Sequence, residues 1–317
     1  MDIIINKVHV NMVVFKNIFS FNKKVLALLL FCISLFFSAL NDSIMKILKD
    51  DGLSDAEVAF WRFFFGVIIL SFVMCTKKET FKTQHLFIHF LRSFIFFLAT
   101  LFWIKGLAST GVIVATVVSF CTPIFILLLS YIVLHEKITP LLCIASLINF
   151  LSIMFAILFN FNSLLDFSAG SLYLFIASFC FALSDLVTKK FNHLEKNDTT
   201  MVFYFNIFAC CISFIYSYIV GDHLALSNVY SHIGYLFLLG CSANCLLYFL
   251  IKAYHYANAS FLSDFKFLEF IFTMLFAHFL LNEHAKFEHY IAMVIIIICN
   301  IIVFLKEGNK KRKNIKS

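Results

Sequence analysis

The chain has 317 residues, 62% of them hydrophobic and only 14% charged, with 44 Phe and 2 Pro. A globular domain carries roughly 25% charged residues, so this composition excludes an ordinary soluble protein. The formal net charge is +7, and the basic run from Lys306 is read as a topology signal in contact with anionic lipid head groups rather than as a nucleic-acid surface.

Residues 1–24 mix Lys and Asn with short apolar runs and lack a small-residue cleavage site. They read as a cytoplasmic N-terminal segment, not as a removed signal peptide. Ten apolar runs follow, at about 25–45, 57–76, 86–105, 111–134, 138–160, 169–189, 200–220, 230–251, 259–281 and 287–305. Most are about 20 residues long, the length that crosses a roughly 30 Å hydrocarbon core. With the N-terminus in the cytoplasm, eighteen Lys and Arg fall on the inner side and four on the outer, and Arg62, Arg92 and Lys266 lie within spans. This asymmetry puts both termini inside. The ten cysteines include no Cys-x-x-Cys, and no Cys/His grouping has metal-ligand spacing. They read as small buried hydrophobes, and neither metal nor cofactor is expected.

An internal repeat runs through the chain. Leu40-Asn-Asp-Ser-Ile-Met-Lys46 pairs with Leu183-Ser-Asp-Leu-Val-Thr-Lys189 at an offset of 143 residues. Ile104-Lys105 pairs with Ile251-Lys252, and Leu134-His-Glu-Lys137 with Leu281-Asn-Glu-His284, both at an offset of 147. Each repeat holds five spans, and because five is odd the second enters the membrane upside down. The expected fold is therefore an all-α polytopic membrane protein, with ten transmembrane helices as two inverted five-helix repeats. Its divisions are 1–24, a first repeat at 25–160, a second at 169–305, and a basic cytoplasmic tail at 306–317. Inverted repeats set a substrate site at their interface near the bilayer midplane.

Charges inside spans are costly and mark function or pairing. Span nine carries Asp264, Lys266 and Glu269. Glu269 lies about ten residues in, roughly 15 Å deep at 1.5 Å per residue. Its repeat counterpart is Thr122, beside Pro123, where a helix kink is expected. Glu269 reads as a substrate or coupling residue, against an ion pair with Lys266 one turn earlier. Asp264 lies nearer the cytoplasmic boundary and reads as a rim or gate residue. Asp42 and Asp185 are repeat equivalents at opposite depths, each followed four residues later by a Lys, Lys46 or Lys189. A gating or substrate role and a local salt bridge stand level for both. Their separation argues against a paired-carboxylate intramembrane protease. Arg62 and Arg92 sit inside spans two and three, where either can snorkel to an interface or pair with a buried acid.

These features resemble the drug/metabolite transporter superfamily, as a tandem pair of EamA-type repeats over about 25–305. The resemblance is carried by Asn41-Asp42, Glu57-Val-Ala-Phe-Trp-Arg-Phe-Phe-Phe-Gly66, Leu91-Arg92, Ala115-Thr-Val-Val-Ser-Phe120 with Pro123, and the Glu136 and Glu283 junctions. Glu57–Gly66, Ala115–Pro123, Leu250–Ala253 and Phe267–Glu269 are also similar to the S-adenosylmethionine uptake carriers of obligate intracellular bacteria. Sparse glycine is the departure, with Ala145 and Ala292 where the fifth and tenth spans often carry Gly. The resemblance implies a secondary carrier in a bacterial inner membrane that takes up this metabolite in exchange for its demethylated product. It favours Arg62 as a carboxylate clamp, and it implies Glu269 with Trp103, Phe267 and Tyr248 as cavity residues, because aromatic faces attract a sulfonium and stack a purine. An exporter of amino acids or other small metabolites remains the alternative within carriers. A multispanning lipid enzyme is the alternative from another class, although none of the loops carries a compact polar motif. No Gly-x-x-x-x-Gly-Lys-Ser/Thr loop is present, so no intrinsic ATPase is expected. The only partners foreseen are a small-molecule substrate and the bilayer, with no nucleic acid.

Overall fold

A computed structural model of the chain describes residues 2–110, 115, 118–158, 169–192, 194, 195, 197–221, 224, 226–282 and 286–313. The helices are α1 (Asp2–Asp50), α2 (Asp55–Lys77), α3 (Leu86–Ser109), α4 (Cys121–Val133), α5 (Pro140–Leu158), α6 (Ala169–Phe191), α7 (Asp198–Val220) and α8 (Leu226–Tyr256). They are followed by α9 (Ala259–Phe265), a 3₁₀ turn at Lys266–Leu268, α10 (Glu269–Leu281) and α11 (Phe287–Lys313). Lipid offers no partner to a backbone N–H or C=O, so apolar runs of this length close their own hydrogen bonds as helices. Among the described residues, seven helices are long and apolar enough to cross a membrane alone, and Cys121–Val133 and Pro140–Ala156 are shorter apolar helices. With the ninth segment divided between α9 and α10, the ten predicted segments are all present, and the protein is multi-pass.

Helix ends follow local chemistry. Ser54 and Glu57 form a reciprocal capping box at the start of α2, with Glu57 N–H to Ser54 Oγ at 3.1 Å and Ser54 N–H to Glu57 Oε2 at 3.0 Å. Glu57, at the head of the motif carrying the resemblance, thus starts a helix. His135 (φ 52°) and Asn282 (φ 55°) both adopt left-handed backbone after the fourth segment of their half. They are repeat equivalents at the 147-residue offset. Two predicted spans were too short: α1 extends beyond 25–45 at both ends, and α8 runs beyond 230–251 with a kink at His232.

The packing is symmetric under exchange of the halves. α1 runs along α8 and α3 along α6; α2 packs on α7 and α5 on α11; α4 contacts α6 as α10 contacts α1. This exchange pattern, with five segments per half, makes the fold two inverted five-helix repeats. Polar side chains tie the helices internally. Asn41 Nδ2 donates to Leu239 O and Ser242 Oγ, both at 2.9 Å, and Asn244 Nδ2 donates to Gly66 O at 3.0 Å. Gly66 and Gly240 let α2 and α8 meet backbone to backbone, for a Cβ on Gly240 would lie 2.9 Å from Gly66 N. The large apolar side chains that remain exposed, such as Phe72 (71%), Phe87 (75%) and Phe279 (72%), face outward where lipid tails would cover them.

Candidate functional site

The fourth and ninth segments are both interrupted at mid-depth. In the ninth, the 3₁₀ turn separates α9 from α10, although the stretch contains neither Pro nor Gly. In the fourth, a turn at Phe120 precedes α4. Phe120 and Phe267 are repeat equivalents, and their rings meet at 5.2 Å between centroids. The pseudo-twofold axis therefore passes through the two breaks. Pro123 is the third residue of α4, where its missing N–H is one the first turn leaves unpaired anyway. The expected kink at Pro123 is corrected: the break is at Phe120, and Pro123 sits within the restarted helix.

Beside this axis lies a partly open cavity of about 80 Å³. Asp42, Arg62, Trp103, Asp185, Lys266 and Glu269 line it, with Asn41, Ser34, Ser38, Thr100, Thr122 and the rings of Phe31, Phe96 and Phe181. Three carboxylates and two cations thus face one partly open space, together with an aromatic wall in which Phe181 lies 5.2 Å from Phe96 and 6.1 Å from Trp103.

The two repeat-related aspartates are held alike. Trp103 Nε1, from the third helix of the first half, donates to Asp42 Oδ1 at 2.9 Å. Tyr254, from the third helix of the second half, lies beside Asp185. Neither expected local salt bridge forms. Lys46 pairs with Asp50 at 3.0 Å, and Lys189 Nζ donates to the carbonyls of Tyr254 and Ala257, the latter at 2.7 Å. Lys266 and Glu269 both reach the cavity, but Lys266 Nζ pairs with Asp185 Oδ2 of α6 at 3.6 Å. Glu269, the first residue of α10 and 5% exposed, lies beside Ser38 of α1 at the cavity wall. The reading of Lys266 as partner of Glu269 is thereby replaced by a pair across helices.

Arg62 is buried, with Nε donating to Asn41 Oδ1 at 3.1 Å. Its guanidinium lies 5.1 Å from the Phe63 ring and 5.2 Å from the Phe96 ring, and Nη1 has no hydrogen-bond partner among the described residues. Stacking holds the fork in place and leaves a donor for a planar anion such as a carboxylate. Arg92 is outside this cavity. It is 2% exposed, packed over Phe205 at 4.7 Å and donating to Met201 O at 3.0 Å, so it turns inward rather than snorkelling.

Three other predicted site residues also lie off the cavity lining. Phe267 is consumed by its stack on Phe120. Tyr248 is half-buried, with Lys252 Nζ over its ring at 4.6 Å, while Leu246, Leu247 and Leu250 of the same helix turn toward the cavity. Asp264 is neither rim nor exposed gate: it is fully buried against Ser146 of α5. Glu136 receives the α9 N–H groups of Ala259 and Ser260 at 3.1 and 2.9 Å, and Ser260 Oγ at 2.6 Å. Its counterpart Glu283 lies outside the described residues. Sequence reasoning missed Ser38 and Tyr254; Tyr254 could have been found, since it stands beside Ile251-Lys252, the repeat of the Ile104-Lys105 that follows Trp103.

Two inverted helical repeats with broken helices meeting at a charged, aromatic cavity define a membrane carrier, not an enzyme. The chain belongs to the EamA-like transporter family, which matches residues 25–158 and again residues 168–305. It is 32% identical over 287 residues to the S-adenosylmethionine uptake transporter of Rickettsia conorii, covering 90% of this chain and 94% of that protein. The transporter of the same name from Rickettsia bellii is 30% identical over 286 residues, covering 90% and 95%. That from Rickettsia prowazekii is 31% identical over 278 residues, covering 87% and 92%. A solved crystal structure superposes with a TM-score of 0.68 at 13% identity, covering 90% of this chain and 96% of its own, a likeness of fold alone.

Proposed function

We propose that the protein is a secondary carrier that takes up S-adenosylmethionine by alternating access, in exchange for the demethylated product. The observation that carries this reading is the cavity itself. It joins Asp42, Asp185 and Glu269 with the stacked Arg62 and the Phe96, Phe181 and Trp103 wall. S-adenosylmethionine presents a sulfonium, an ammonium, a carboxylate and an adenine. Arg62 takes the carboxylate, the acids take the two cationic centres, and the rings take the sulfonium and the purine. Three carboxylates against two cations favour the cationic substrate, and the demethylated product, one positive charge poorer, is held less tightly. The Rickettsia relatives bearing the name of this activity support the same substrate.

The accompanying placement is a bacterial inner membrane with both termini in the cytoplasm, which follows from the distribution of Lys and Arg. The chain divides into a cytoplasmic segment 1–24, repeats at 25–160 and 169–305, and a basic tail from 306. Purified protein in vesicles, given labelled S-adenosylmethionine, is expected to show saturable uptake that accelerates when the demethylated product is loaded on the far side. Uptake that does not saturate, or that ignores the loaded product, refutes the exchange.

A further inference from the structure

One intramembrane acid has no place in the substrate cavity. Asp264 is 0% exposed on α9, only two residues before Lys266, yet it is directed toward α5. Two residues are about 200° around a helix, so Lys266 serves the cavity while Asp264 serves the opposite side. Ser146 Oγ of α5 donates to Asp264 Oδ1, and Oδ2 has no hydrogen-bond partner among the described residues. One turn further along α5, Asn149 is 0% exposed with both side-chain polar atoms unpartnered. Asn300, on the buried face of α11, donates Nδ2 to Ile296 O at 3.0 Å and leaves Oδ1 unpartnered. α11 packs on α5, with Cys299 Sγ 3.9 Å from Ala145 O, the residue before Ser146.

The groups facing this acid leave it without a counter-charge. From α1, Lys24 donates to Glu307 O at 3.1 Å and lies over the Phe261 ring at 5.0 Å. From the turn before α5, Glu136 is held by the backbone of Ala259 and Ser260. From α11 come Cys299 and Glu307, and Glu307 accepts from Thr139 Oγ1 at 3.0 Å. On its own segment Lys266 is paired with Asp185. α4 and α5 carry only Cys121, Tyr131 and Cys143 as titratable groups, and the last two are exposed on the outer surface.

Asp264 Oδ2 on α9, Asn149 Oδ1 on α5 and Asn300 Oδ1 on α11 are three buried acceptors without a partner among the described residues, and Asn149 Nδ2 is the one donor of these side chains in the same condition. A single proton on Asp264 converts this to two acceptors and two donors, and it removes a buried charge that no cation balances. We propose that Asp264 is a proton-binding site of the carrier, separate from the substrate cavity, that binds and releases one proton in each transport cycle. The site is joined to the cavity by a short lever. The 3₁₀ break beginning at Lys266 lets α9 move apart from α10, so a change in how α9 packs on α5 is passed to the Lys266–Asp185 pair.

The proposal rests on the carrier reading but not on the identity of the substrate, and its test has one arm for each. In the first, infrared difference spectra of the purified protein between acid and alkaline buffer are expected to show a protonated carboxyl band that disappears in Asp264→Asn. Absence of such a band, or its persistence in the variant, overturns the proposal whatever the protein carries. In the second, vesicles held at a clamped membrane potential receive labelled S-adenosylmethionine. One proton per cycle makes the steady accumulation ratio change about tenfold for each unit of imposed pH difference, with the sign reporting co-transport or counter-transport. Asp264→Asn is expected to flatten that response while still binding the substrate. Ser146→Ala, which removes the donor to the ionised form, is expected to shift the midpoint of the uptake–pH profile to higher pH, and it serves if Asp264→Asn fails to insert. Uptake that ignores the pH difference, or that follows a sodium gradient instead, overturns the proton assignment. A carboxyl band without saturable uptake leaves the proton site standing and refutes the substrate reading.

Discussion

The Lys266–Asp185 pair gives the most direct test of the site's geometry. The Nζ–Oδ2 distance is 3.6 Å, with the side chains 19% and 11% exposed. At an effective dielectric of roughly 20, two unit charges at that separation attract by about 4–5 kcal/mol. Lys266→Met removes the cation and leaves Asp185 buried without its ion-pair partner. Removing one partner of a buried pair costs about 3–5 kcal/mol, whereas replacing both by neutral groups is often nearly neutral. Lys266→Met is therefore expected to lose about 3 kcal/mol, and Lys266→Met with Asp185→Asn to return within about 1 kcal/mol of the parent. At roughly 2 °C per kcal/mol for a chain of this size, the single variant unfolds about 6 °C earlier. The ten free cysteines supply the assay: a thiol-reactive dye follows unfolding of the purified protein in detergent. If the losses of Lys266→Met and Asp185→Asn, each measured alone, simply add in the double variant, the two side chains are not coupled. That outcome would refute the pairing and return Lys266 to Glu269.

Two further predictions bear on function and packing. Glu269→Gln keeps an acceptor beside Ser38 and removes the charge, so uptake is expected to fall at least about a hundredfold, equivalent to roughly 2.7 kcal/mol, with little change in unfolding temperature; unchanged kinetics would assign Glu269 to structure alone. Gly240→Ala places a methyl 2.7 Å from Phe65 Cβ and 2.9 Å from Gly66 N, and overpacking against backbone is expected to cost about 1–3 kcal/mol. Gly234→Ala, which meets nothing within 4 Å, is the control and should be indifferent.

Much of the fold could be read from composition and spacing, because the bilayer allows few solutions. Runs of about 20 apolar residues must become helices. Local breaks were harder to see. Pro123 pointed within three residues of the fourth-segment break, but Lys266–Leu268 holds no helix breaker, and its 3₁₀ turn follows from packing at the symmetry axis around Phe120 and Phe267. The same difference runs through the site. The depth of each charge follows from counting residues along a span. Its partner does not, because a long side chain in low dielectric pairs with whatever neighbouring helix offers the best geometry. Asp42 and Asp185 each carry a Lys four residues on, and each is instead bound to a residue of another helix.

The amino-acid sequence by itself determined the ten segments and, through the odd number in each repeat, the inversion of the two halves. The reading of Glu269 as a substrate or coupling residue rests on its depth and its counterpart Thr122. What only the tertiary structure decided is direction around each helix. Asp264 and Lys266 stand two positions apart, yet one is enclosed against Ser146 and the other reaches Asp185 across the cavity. At 100° per residue, neighbouring positions diverge at once, and only the packing of other helices decides which face meets the cavity and which is closed off from it.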